Sequence, residues 1–158
     1  MKPCVVGLVF AAHCLFSLSA LAAPLAVGDF IPVITAADQH GQTFNTTNGF
    51  QFLLVASEMA CAKAANQDLA GQGTGFLEKH HAAYLLDIHT MPAIARFFAF
   101  PKMRKYPQHI ILVDTPGTLA VFPARPGRVT VVAVTDAGRV KKISFWDPVG
   151  EPVAGCFQ

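Results

Sequence analysis

The sequence predicts a mixed α/β domain whose sheet is buried on both faces and packs against helices, and three observations carry that reading. Residues 50–56, 83–88 and 109–114 are nearly continuous in apolar and β-favouring residues, as strands covered on both sides require. Strand and helix patterns alternate through the first two thirds of the chain, while residues 128–135 and 139–146 flank a turn at Asp136, Ala137 and Gly138 and read as a hairpin. Without its first 22 residues the chain has about 135 residues, enough to bury one core and too few for two.

In chain order, residues 30–34 form a short apolar run after Gly28 and Asp29, and residues 38–42 read as a polar turn before Thr43 and Phe44. The strand at 50–56 leads into residues 59–69, rich in Ala, Lys, Asn and Gln, which predict a helix ended by Gly71, Gly73 and Gly75. Residues 76–81 read as a short second helical piece. After the strand at 83–88, Thr90 is placed to cap a helix with Pro92 in its first turn. That helix carries Ile94, Phe97 and Phe98 on one face, expected with Phe100 to pack on the sheet, and stops near Pro101. The strand at 109–114 is followed by a turn at 115–118 and a further apolar run at 119–122. Pro148 and Pro152 argue against a closing helix, so residues 147–158 are expected to be irregular.

The mean hydropathy of +0.42 is high, and its distribution is uneven. Residues 1–23 hold 17 apolar residues and one charge, Lys2. Lys2, the apolar run 5–18 and the small-residue site at Ala20 and Ala22 have the three-part layout of an export signal. Cleavage after Ala22 is expected, because a cut after Ala23 would leave Pro24 immediately beyond it; an uncleaved anchor is the alternative. This reading divides the chain into a signal at 1–22 and a single domain at 23–158, periplasmic or secreted, with no stable membrane insertion after cleavage. Beyond the signal, 11 Lys and Arg face 10 Asp and Glu, a balance that gives no electrostatic argument for nucleic acid or an anionic membrane. A partner, on this reading, is another protein of the envelope.

Processing leaves two of four cysteines, Cys61 and Cys156. A bridge between them would close a loop of about 95 residues, worth roughly 4–5 kcal/mol in chain-entropy terms. Nothing in the sequence brings them together, so two separate thiols are expected. Asp87 and His89 share a face at the end of a strand and could serve acid–base chemistry or a metal, but no Cys/His spacing supports a metal site. The glycines at 71, 73 and 75 match no nucleotide-binding form, and no cofactor is called for.

Two stretches resemble secreted bacterial thioredoxin-like proteins of the peroxiredoxin and thiol-oxidoreductase kind. The first runs from Val27, Gly28, Asp29 and Phe30 through Asp38 and Gly41 to the buried strand. The second runs from Leu86, Asp87 and Ile88 through Pro92, Phe97 and Phe98 to Pro107 and the strand at 109–114, with Gly117 at the hairpin position. Together they span about residues 27–122. The resemblance implies a three-layer sandwich, a mixed central sheet with helices on both faces, and Pro107 as a cis-proline facing the active-site loop.

The family's dithiol motif is not present. Setting Ala56 and Lys63 on its flanking alanine and lysine puts Met59 and Ala62 at the two cysteine positions, with Cys61 between them. Dithiol exchange cannot run on one sulfur, so the resemblance implies a degenerate site and a binding or accessory role. Two alternatives follow. One is a single-cysteine redox protein or peroxidase using Cys61, with Arg125 or Arg128 and Ser57 beside the peroxide. The other is a cofactor-binding accessory protein using a groove between Cys61, Pro107 and the basic cluster Lys102, Arg104, Lys105 with Tyr106. That cluster is either a candidate binding surface or positive charge at a helix C-terminus.

Overall fold

The computed structural model describes residues 23–158 except Asn48; the stretch expected to be an export signal, 1–22, lies outside the described residues. Among the described residues seven strands form one sheet: β1 (Thr35–Asp38), β2 (Thr43–Asn45), β3 (Phe52–Ala56), β4 (Ala82–Asp87), β5 (Ile111–Val113), β6 (Val129–Val134) and β7 (Val140–Trp146), in the order β2-β1-β5-β4-β3-β6-β7. β3, β4 and β5 run parallel and the remaining pairs antiparallel. The two long apolar runs sit at the centre because only central strands are covered on both faces. Leu53 and Val55 point to one face and Leu54 and Ala56 to the other, all nearly inaccessible.

The helices are α1 (Met59–Gln72), α2 (Phe76–Lys79) and α3 (Ala93–Met103). The buried apolar residues of all three join the cluster around Leu54, Tyr84 and Leu86. The opposite face is covered mainly by non-helical chain, with Leu25 and Ile34 from the N-terminal segment and Leu119 and Phe122 from the turns after β5. Helices on that second face are therefore replaced by coil. Residues 119–122, read above as an apolar run after a turn, are themselves turns, linked by Phe122 N–H to the Leu119 carbonyl at 3.1 Å.

α1 ends where Gly73 adopts a φ of 86°, a conformation that favours glycine. Thr90 does not cap α3. Pro92 occupies the N-cap position, with no side-chain cap bond. α3 also continues past Pro101 to Met103; the lost amide donor falls in the last turns, where little helix remains to disrupt. The tail is ordered, against expectation. Val153–Phe157 form a 3₁₀ turn, Val153 is fully buried, and its N–H donates to Asp68 Oδ2 of α1 at 2.7 Å. Phe157 stacks on His80 at 4.4 Å and meets Phe52 and Phe76 edge-on. The prolines excluded an α-helix there but not burial.

Candidate functional site

β3 delivers the chain through Ser57 and Glu58 to the start of α1, the place where the resemblance puts a thiol centre. Glu58 is the N-cap, yet its carboxylate does not cap α1; Oε2 instead accepts the Gly127 N–H at 3.0 Å. Gly127 belongs to the loop before β6, which runs antiparallel beside β3 in the register Val55 to Thr130. That register brings residues 123–128 against the start of α1, and Thr130 Oγ1 donating to the Pro123 carbonyl at 2.6 Å ties the loop to β6.

Pro107 is consequently not the facing proline. It precedes β5, which lies on the other side of β4, and every peptide bond among the described residues is trans. Its neighbour Gln108 donates from Nε2 to the carbonyl of Asn66 at 3.3 Å, about two turns into α1. Proline-bearing loops precede both β5 and β6, and only the pairing of the sheet decides which one meets the start of α1.

At the helix start, Met59 is 48% exposed while Ala62, one turn on, is buried. Lys63 is exposed. Cys61 is 3% exposed, and its Sγ–H donates to the Glu58 carbonyl at 3.1 Å. Burial pushes its thiol above the ordinary value, Glu58 adds to the effect, and local backbone hydrogen bonds only partly offset it. Beneath it lies Tyr84, fully buried, whose hydroxyl has no hydrogen-bond partner among the described residues and whose ionisation is pushed far up by burial. The two arginines considered for a peroxide site are engaged elsewhere. Arg125 lies 4.1 Å over the Phe145 ring, and Arg128 pairs with Asp147 at 3.3 Å. Cys156 is a second free thiol, pushed up to about 12 mainly by burial.

Lys102, Arg104 and Lys105 are exposed at the end of α3, and Tyr106 is packed against the core. Arg104 Nε donates to the Gln39 carbonyl beside β1, at 3.1 Å. β1 and β6 lie in opposite halves of the sheet, so the basic cluster and the start of α1 do not form one groove. The larger departure is α3 itself. Ile94, Phe97 and Phe98, expected in the core, are 68%, 72% and 69% exposed, and Phe100 alone of the three phenylalanines packs inward.

Sequence reasoning also missed a pairing across 71 positions. His109 Nδ1 meets Oδ2 of the buried Asp38 at 2.7 Å, whose other oxygen accepts the N–H groups of His40 and Gln42, both at 2.8 Å. Burial alone would raise the Asp38 carboxyl, but these bonds outweigh it and hold it below its ordinary value. The pair borders a cavity of about 320 Å³ walled by Phe44, Phe50 and Leu77. Asp87 and His89, read as sharing a face, do meet, at 2.6 Å. No group of three or more His, Cys, Asp or Glu among the described residues is arranged to hold a metal.

A mixed seven-stranded sheet with a helix rising from the end of a central strand, faced by the loop of the antiparallel neighbour, defines the thioredoxin-like fold. Comparison with solved structures bears this out. The chain is similar to the thioredoxin domain of a thiol-disulfide oxidoreductase from Bacteroides vulgatus (TM-score 0.55, 16% identity, 85% of this chain and 99% of that one). It is also similar to a peroxidoxin from Mycobacterium tuberculosis (TM-score 0.53, 13% identity, 84% and 94%). A thiol:disulfide interchange protein from a Bacteroides species matches with TM-score 0.51, 11% identity, and 79% and 86% coverage. No protein-family model matches the sequence, and no curated protein does. At 11–16% identity these likenesses show that the chain has a thioredoxin-like fold.

Proposed function

We propose that this chain is a thioredoxin-like domain of the cell envelope that works by binding and performs no thiol chemistry. One observation carries the reading: Cys61, the sulfur atom that would have to react, is buried, donates its proton to the Glu58 carbonyl, and has its thiol pushed up. A nucleophilic cysteine needs an exposed, electropositive setting that pulls the thiol down. The positions matched to the dithiol hold Met59 and Ala62, which cannot form a disulfide. The export-signal layout of residues 1–22 supports the envelope location.

A second reading, a redox protein that uses Cys61 alone, draws support from the similar structures, which are named for thiol–disulfide and peroxide chemistry. Titration with a thiol-reactive reagent across pH separates the two, with Cys156→Ser as background. Binding without chemistry predicts that Cys61 in the folded protein stays unreactive at neutral pH and reacts on unfolding. Rapid modification at neutral pH that disappears in Cys61→Ser would establish the redox reading instead.

A further inference from the structure

α3 carries two stripes, and the more apolar one faces out. Arg96, Ala99, Phe100 and Met103 recur at helical spacing on the inward side, with Met103 buried and Ala99 and Phe100 packed on the core. Ile94, Phe97, Phe98 and Pro101 recur at the same spacing on the outward side and are all exposed, and Lys102 and Lys105 prolong that stripe. Arg96 fixes this orientation. Its Nε donates to the Met91 carbonyl at 2.9 Å, Nη2 to the Ile88 carbonyl at 2.8 Å, and the guanidinium grips both oxygens of Asp114. The two outward rings also hold each other, edge to face, at 5.3 Å.

We infer that the outward stripe of α3 is a peripheral docking surface for an anionic phospholipid bilayer. Charge complementarity points there: no acidic residue occurs from 88 to 113, and none of the ion pairs among the described residues uses Lys102, Arg104 or Lys105. A second copy packed stripe against stripe would bring cations to cations, since residues 88–113 hold no acidic side chain. The apolar area is also small for a protein partner. Two rings and an isoleucine present on the order of 400 Å², about half of the ~800 Å² per partner of a stable complex. It suits a helix lying in a headgroup layer, with aromatic residues in the acyl boundary and cations at the phosphates. No helix of the described residues is long and apolar enough to cross a membrane, so α3 would lie on the surface. The near-zero net charge conceals this local excess. The inference stands whether or not Cys61 reacts.

The test uses Phe98→Trp as a local reporter in the protein as isolated; the one native tryptophan, Trp146, is buried. Phosphatidylglycerol vesicles should shift the emission to the blue, and brominated acyl chains should quench it, whereas phosphatidylcholine vesicles should leave it nearly unchanged. Lys102→Gln and Lys105→Gln added to that variant should each weaken partitioning about fivefold. Roughly 1 M salt, where screening acts within about 3 Å, should weaken it further. Emission unchanged by phosphatidylglycerol, or shifted equally by both lipids, would overturn the inference. So would concentration-dependent self-association abolished by Phe97→Ser, which would make the stripe an interface between copies.

Discussion

α1 and α3 both pack on the same face of the sheet, but they divide their residues in opposite ways. α1 turns Cys61, Ala62, Ala65 and Leu69 inward and presents polar residues and Met59 outward. α3 turns Ala99, Phe100 and Met103 inward, anchored by Arg96, and leaves its two adjacent phenylalanines outside. The place where the resemblance implies chemistry is thus packed like a core, and the place read as core is a surface. Apolar character alone does not choose the buried side of a helix; small side chains that let α1 approach the sheet closely, and a side chain that bonds the ends of strands, choose it.

The sharpest test of that contrast replaces one large apolar residue on each helix. Leu69→Ala should cost about 2–5 kcal/mol of unfolding free energy in urea, because a fully buried side chain leaves a cavity. Phe97→Ala should change stability by no more than about 0.5 kcal/mol, since most of the ring is already in water. Equal losses would dissolve the distinction.

Asp38→Ala comes next, at about 2–3 kcal/mol, since it strands two backbone N–H groups and His109. The same carboxyl gives stability a pH dependence. Held below its ordinary 3.8, it contributes fully above that value. The contribution is lost as pH falls through the lowered value, because the unfolded chain then binds the proton more tightly. Urea unfolding at a series of acidic pH values should show this loss in the native protein and a flatter profile in Asp38→Asn.

A gain of about 1 kcal/mol is expected for Tyr84→Phe, which removes a buried hydroxyl lacking a partner, and calorimetry should register a higher Tm. The smallest effect is expected for Cys61→Ser. The hydroxyl can keep the bond to the Glu58 carbonyl in a buried niche of similar size, so the loss should stay near 1 kcal/mol with any binding retained.

Much of this fold was legible. The strands at 52–56, 82–87, 129–134 and 140–146 announce themselves as apolar runs or alternations flanked by turns, and α1 follows from its composition and terminal glycines. The positions of Met59, Ala62 and Lys63 at the helix start were also readable, because the preceding strand sets the register. Pro107 was misplaced because local sequence does not say which later strand pairs antiparallel with β3. The face of α3 was misread because both of its stripes contain phenylalanine, and the arginine that decides between them acts through carbonyls and an aspartate on other segments. The pairing of Asp38 with His109 has no local signature at all; it arises where β1 meets β5.

The clasp of residues 153–157 on α1 bears on how the domain is made. A chain emerging from a ribosome can pair β3 with β4 early, since only α1, α2 and short connections separate them. Asp68 must then wait until 85 further residues have appeared before Val153 covers it, and Phe52 and Phe76 must wait for Phe157. Until then that end of the core is open and available to chaperones, so the domain should pass through its interval of greatest exposure just before completion.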